Sequence, residues 1–146
     1  MPTALLSAEI AVGVLLVLLL TFIVATYARR RVISRGAILF VPCGWRANRR
    51  NRWRLGHLRL DNTRLEWFSL LGLSSRPQRG WDRVGVDLEA PRARRRSDLI
   101  DFMPDAVPVP CSEHGRRFEL ALTPGAYTAL RSWAEAAPPG SAASVA

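Results

Sequence analysis

Trp53-Arg54-Leu55-Gly56-His57-Leu58-Arg59-Leu60, then Asp61-Asn62, then Thr63-Arg64-Leu65-Glu66-Trp67-Phe68, is the stretch that decides the fold. Its first eight residues alternate apolar with polar, as expected of a strand buried on one face. Asp61-Asn62 is a short turn, because Asp and Asn side chains hydrogen-bond their own backbone. Leu65 and Trp67 then return on one face of a second strand. Together these residues read as a β-hairpin.

Working outward, the same pattern recurs in short pieces. Ala37 to Val41 reads as a first strand closed by Pro42 and Gly44, and Arg46 to Arg52 as a polar loop. Leu71 and Leu73 suggest a further short strand with Pro77 at its edge. Val84 to Glu89 alternates again, and Asp98–Met103 and Val107–Cys111 are short strand candidates punctuated by Pro104, Pro108 and Pro110. Arg116 to Leu122 turns Phe118, Leu120 and Leu122 to one side. The period then changes: Thr123 can cap a helix that has Pro124 at its first position. Ala126, Leu130, Trp133 and Ala137 share one face of that helix, with Tyr127 and Ala134 beside them. Arg131 and Glu135 face away, and Pro138-Pro139-Gly140 ends the helix.

The other decisive feature is a charge step. Residues 1–28 hold no Arg or Lys, whereas residues 29–54 hold nine Arg and no acid. Just before the step, Ile10–Tyr27 is uncharged, and twelve of its eighteen residues are Leu, Ile, Val or Phe. As a helix it is about 27 Å long, close to the thickness of a bilayer core. Its summed insertion free energy is about −5 kcal/mol. Arg29, Arg30, Arg31 and Arg35 follow it, and only Glu9 precedes it, so the positive-inside rule keeps the Arg end cytoplasmic. A cleaved signal peptide, the competing reading, needs a basic leading region and a small-residue cleavage site, and neither is present. The expectation is a single-pass anchor in a bacterial inner membrane, N-terminus out and domain cytoplasmic. Residues 1–35 form the anchor and its basic end, 36–137 one β-rich domain, and 138–146 a disordered tail.

About 115 residues follow the span, enough for one small domain. All 21 basic residues are Arg, which with the Ala-rich content points to GC-biased codon usage in a high-GC bacterium. The net charge of +9 is unevenly placed: 18 Arg against five acids over residues 29–96, three Arg against six acids over residues 97–146. Cys43 and Cys111 read as free thiols of a reducing compartment. With His57 and His114 they make a four-residue ligand set lacking any Cys-x2-Cys pair, so a zinc site is disfavoured. No cofactor is implied.

Six or seven short antiparallel strands followed by one amphipathic helix resemble the pleckstrin-homology-like fold, a bent sheet plugged by its last helix. A small β-barrel or sandwich with an appended helix gives nearly the same pattern. Trp53-Arg54-Leu55-Gly56, Leu65-Glu66-Trp67-Phe68, Arg76-Pro77, Glu119-Leu120-Ala121-Leu122 and Leu130-x-x-Trp133-x-Glu135-Ala136-Ala137-Pro138 occur in this order. In this they resemble an uncharacterised actinobacterial family of short membrane proteins with one N-terminal span and one basic domain. The resemblance covers nearly the whole chain. It implies genes that often lie near those of the ATP synthase and carries no known activity, so no catalytic residue transfers. The first strand and the extra arginines of Arg46–Arg52 depart from that family's pattern.

The sharpest functional candidate is the loop holding Arg46, Arg49, Arg50 and Arg52, flanked by Trp45 and Trp53. In a pleckstrin-like fold it joins the first two strands. Arg presents a planar fork that binds phosphate with two parallel hydrogen bonds. Trp45 suits the membrane interface, beside Arg29, Arg30, Arg31 and Arg35. Arg92, Arg94, Arg95 and Arg96 form a second cluster. The bland alternative for both is a solvated loop. Truncating the first set to Ala is expected to weaken lipid binding and leave folding intact. Nucleic acid is disfavoured, because no helix-turn-helix, zinc finger or RNP-like motif accompanies the charge. Enzymatic motifs are absent too: no Gly-x-Ser-x-Gly, phosphate-cradling loop or His-Glu-x-x-His. Asp98, Asp101 and Asp105 lack the bracketing residues of a calcium loop and read as partners for nearby Arg. In the span, Ser7 and Ala11 are small and four apart, too little to argue helix association. The sequence therefore points to a non-enzymatic module binding anionic phospholipid, or to an accessory factor contacting an unidentified membrane complex.

Overall fold

The computed structural model describes residues 2–98 and 100–136. The chain divides into two compact units at Arg35/Gly36. The first unit is one α-helix, α1, Pro2–Ser34. Thr3–Ser34 is long and apolar enough to cross a membrane by length and composition. The hydroxyls in its apolar part are satisfied internally: Thr21 Oγ1 donates to the Val17 carbonyl at 2.8 Å and Thr26 Oγ1 to that of Phe22 at 3.0 Å. Arg29, Arg30 and Arg31 lie in its C-terminal turns, with Arg35 just beyond. Gly36, at φ +71°, adopts the left-handed conformation that ends helices.

The second unit is one antiparallel sheet of seven strands: β1 Leu39–Arg46, β2 Arg54–Leu60, β3 Arg64–Ser69, β4 Arg79–Asp82, β5 Val86–Leu88, β6 Val107–Glu113 and β7 Arg116–Leu122. Its order is β4-β3-β2-β1-β7-β6-β5, so the first strand is central and joins the two halves. The sheet folds over on itself. Trp81 on β4 stacks on Phe118 of β7, ring centres 4.4 Å apart, although three strands separate them in the sheet. Inside lie Leu58, Leu60, Leu65, Trp67, Val109, Leu120 and Leu122. Gly56 has no alternative there: a Cβ would sit 2.7 Å from the Trp67 ring and 2.1 Å from the Phe68 carbonyl oxygen. The β6–β7 turn, His114-Gly115, holds both residues at positive φ, 48° and 79°, the geometry of a tight hairpin.

The expected hairpin forms, with Leu58 opposite Trp67 and Leu60 opposite Leu65. The helix α2, Pro124–Glu135, forms as its periodicity requires. The Thr123 hydroxyl accepts from the Ala126 N–H, and Ala126, Leu130 and Trp133 are buried. Trp133 Nε1 donates to the Asp61 carbonyl at 2.8 Å, and the Arg83 guanidinium donates to the Trp133 carbonyl, fastening the helix across one end of the sheet. Ala137, the Pro138-Pro139-Gly140 stop and the tail lie outside the described residues.

Four expectations are corrected. The first strand does not close at Pro42 and Gly44 but runs through both to Arg46, pairing Pro42 with His57 and Gly44 with Leu55. Leu71 and Leu73 form no strand; they stand exposed in the β3–β4 connection, and the next strand is Arg79–Asp82. Val84–Glu89 shortens to β5. Asp98–Met103 is a 3-10 turn at Arg96–Asp98 followed by irregular chain. Its Ile100 and Met103, with Ala106 and Ala121, make a second small cluster on the outer face of the sheet, backed by Trp53 and Leu55.

Candidate functional site

β1 ends at Arg46, and residues 47–53 carry the chain to β2. Asn48 shapes this loop: its Oδ1 accepts from the N–H of Arg50 at 3.0 Å and of Asn51 at 3.2 Å. The tight turn leaves Arg49, Arg50 and Arg52 exposed.

Strand alternation separates the two residues before the loop. Trp45 points inward and is 8% exposed; its ring centre lies 5.6 Å from that of Trp67, with the Arg79 guanidinium 4.9 Å above it. The expected place of Trp45 at a membrane interface is therefore corrected: it is a core residue. Arg46 points to the other face and is 3% exposed. It stands directly across from Glu119 on β7. Its Nε donates to Glu119 Oε2 at 2.6 Å and its Nη2 to Asp98 Oδ1 at 3.1 Å, while its guanidinium lies 4.3 Å over Trp53.

The second Arg run arrives at the same two carboxylates. Arg92 donates from Nη2 and Nη1 to the two Asp98 oxygens at 2.7 and 2.9 Å, and from Nε to Glu119 Oε1 at 3.0 Å. The Arg95 N–H adds a bond to Asp98 Oδ2 at 2.7 Å. From the surface, Arg49 Nε reaches within 3.5 Å of Glu119 Oε1. Arg92 hydrogen bonds hold the Asp98 carboxyl well below the usual carboxylate range, against the upward pull of burial. Burial also pulls Glu119 upward, but the hydrogen bonds from Arg92 and Arg46 outweigh it and its pKa is lowered. Arg92 is correspondingly raised by its bonds to Asp98 and Glu119.

This four-residue ion cluster corrects the reading of Arg46 as a loop residue and takes Arg46 and Arg92 out of the set of arginines free to bind lipid or a partner. Both guanidiniums are committed to buried carboxylates, and removing one would leave a buried charge short of a partner. For the same reason truncation of Arg46 is now expected to destabilise the fold, contrary to the expectation from the sequence. The remaining candidates fare differently. Arg94 bonds Asp101 Oδ1 at 3.1 Å and the Pro104 carbonyl at 2.9 Å, while Arg95 and Arg96 are exposed. The two Arg runs are thus joined at their bases through Asp98 and Glu119.

At the open end of the folded sheet, beside the same loop, lies a cleft of about 490 Å³ lined by Trp45, Arg46, Asn51, Arg52, Arg54 and Arg79, with Ala47. No acid lines it, and Arg52, Arg54 and Arg79 have no carboxylate partner among the described residues. Sequence reasoning missed Arg54 and Arg79. Arg54 stands opposite Trp45, and Arg79 opposite the inward-facing Trp67, so both point to the inside of the sheet at its rim. The available signal was phase: Arg54 is an even number of residues from Leu58 and Leu60.

Cys43 and Cys111 are free and buried, and burial pushes both thiols up. His57 stacks on Phe40 at 4.8 Å. Among the described residues no group of three His, Cys, Asp or Glu could hold a metal ion.

Comparison with solved structures identifies the architecture. The C-terminal PH domain of human FYVE, RhoGEF and PH domain containing protein 3 matches with TM-score 0.51 at 14% identity, over 73% of this chain and 95% of that one. The C-terminal PH domain of human pleckstrin matches with TM-score 0.50 at 17% identity, over 70% of this chain and 81% of that one. At such identities the likeness is one of fold, and the fold is pleckstrin-homology-like. Two Mycobacterium tuberculosis proteins, "Uncharacterized protein Rv1312" and "Uncharacterized protein MT1352", are each 37% identical over 91 residues, 59% of this chain. The chain covers 61% of the length of these relatives. Residues 15–140, taking in most of α1 and every strand, match the family described as "Protein of unknown function (DUF2550)", and the chain belongs to that family.

Proposed function

We propose that this protein is a membrane-anchored, non-enzymatic binding module whose arginine-lined cleft takes anionic phospholipid head groups. In this reading α1 spans a bacterial inner membrane with its N-terminus out, and Arg29, Arg30, Arg31 and Arg35 keep the second unit cytoplasmic. The observation that carries the reading is the cleft: Arg52, Arg54 and Arg79 converge on it with no carboxylate in its lining. Unpaired guanidiniums at the mouth of a sheet favour a phosphate, which accepts two parallel bonds from each fork. Trp45 beneath Arg79 gives the cleft a rigid wall. Exposed Arg49, Arg50, Arg95 and Arg96 add a diffuse field that attracts an anionic surface by about 1 kcal/mol per residue near contact.

The test is flotation of the fragment Gly36 to Ala146, which contains all seven strands, α2 and both apolar clusters, with anionic and neutral vesicles at low and physiological salt. Binding should select anionic vesicles and weaken as salt rises. The R52A/R54A/R79A variant should bind about a hundredfold more weakly, from about 1 kcal/mol per lost charge. Unchanged affinity in that variant, or equal binding to neutral vesicles, overturns the reading. Co-purification of the full chain with a membrane complex, without vesicle binding, would favour an accessory or assembly factor instead.

A further inference from the structure

The β3–β4 connection combines two properties that soluble loops rarely share. Leu70, Leu71 and Leu73 are 44%, 89% and 84% exposed, the last two more than any other large apolar side chain described outside α1. The connection, Leu70–Gln78, contains Arg76 and no acid. Both of its ends are fixed. The Leu70 N–H donates to the Leu55 carbonyl at 3.0 Å, and the Gln78 N–H to the Trp67 carbonyl at 3.0 Å. These anchor points adjoin Arg54 and Arg79, two walls of the cleft, so the leucines rise from the rim where the unpaired arginines gather. β1 ends and β3 ends at this same edge of the sheet, while the Asp61-Asn62 turn and Trp133 lie at the opposite one.

Exposed leucines in water forgo the burial that about 25 cal/mol per Å² would reward. Leucines on a connection that holds Arg76 and no acid, anchored next to Arg54 and Arg79, match one chemical setting: the boundary between anionic head groups and acyl chains, where apolar side chains sink and guanidiniums stay among phosphates. We infer that the Leu70–Leu73 tip inserts into the acyl boundary of an anionic bilayer while the adjoining arginines hold its head groups. The inference rests on the lipid reading above and adds a second, salt-insensitive contribution to it.

The test uses the full chain in nanodiscs of neutral or anionic lipid, carrying a polarity-sensitive fluorophore on L71C or R50C. Cys43 and Cys111 are buried, so the introduced thiol is the one labelled. In anionic discs the L71C label should shift to the blue and be quenched by lipids bearing quenchers in their acyl chains. The R50C label should be quenched only by head-group quenchers. An aqueous L71C label beside a head-group-quenched R50C label overturns insertion and leaves the lipid reading standing. Aqueous labels at both positions overturn the two together. In parallel, L71S/L73S should bind anionic vesicles about tenfold or more weakly with an unchanged salt slope. A reduced slope would mean that the leucines only position the arginines, and would also overturn insertion.

Discussion

Arg46 and Arg54 sit close together, one at the end of β1 and one at the start of β2, yet they belong to two different electrostatic regions. Arg46 joins Arg92 among Asp98 and Glu119, where two guanidiniums meet two carboxylates and formal charge cancels. Arg54, with Arg52 and Arg79, faces a cleft without any acid. Residue type does not distinguish them. Phase along the strand and the identity of the cross-strand neighbour do: Arg46 faces Glu119, whereas Arg54 faces Trp45. In the proposed reading, binding therefore falls to the arginines left unmatched. The matched ones hold the scaffold.

The largest test of this division is Arg46→Ala. It leaves two buried carboxylates sharing Arg92 and should destabilise the second unit by about 3–5 kcal/mol, read as a lower denaturant midpoint at constant slope. Asp98→Asn should cost about 2 kcal/mol, from the loss of charge-assisted bonds to Arg92 and Arg46. It should also change the acid limb of stability. Asp98 and Glu119 are depressed in the folded protein, so on acidification the unfolded chain takes up their protons first. Stability from both groups is complete above the unfolded carboxylate values, about 4, and falls as pH drops below them towards the folded values. A melting series from pH 7 to 2 should show this loss in the wild type and a shallower one in Asp98→Asn.

On the other side of the comparison, Arg52→Ala and Arg54→Ala should each alter stability by less than about 0.5 kcal/mol. A loss as large as that of Arg46→Ala would abolish the distinction between the two regions. Arg49→Ala should have the smallest effect. Its exposed contact with Glu119 is worth at most a few tenths of a kcal/mol, measurable only as a double-mutant coupling with Glu119→Gln.

Local signals were legible where local rules decide. The hairpin from Arg54 to Ser69 and the capped helix from Pro124 follow from periodicity and turn chemistry between near neighbours in sequence. The alternation of β2 contained a warning: Trp53 and Leu55 differ in phase from Leu58 and Leu60. The structure explains it, because the former serve the outer cluster with Ile100 and Met103 and the latter the inner core. An apolar pair such as Leu71 and Leu73 reads as a strand when no partner can be specified, and only the fold reveals it standing unpaired. The ion cluster was least visible, since Arg46 and Glu119 lie 73 residues apart and meet through the β1–β7 register. A single acid inside Phe118-Glu119-Leu120-Ala121-Leu122, every residue of which is buried, was its one trace in the sequence.

The central place of β1 sets a timetable for synthesis. Its partner β7 is among the last strands made, and the 73 residues between Arg46 and Glu119 take about 4 to 15 s to translate. During that interval β1 to β4 can pair as a four-stranded half-sheet, with one flank of β1 bare. Pro42 has no N–H to offer a stray strand on that flank, and Gly44 offers no side chain to hold one. The residues that disguised β1 in the sequence are thus those that discourage wrong pairing until the ribosome delivers the right strand.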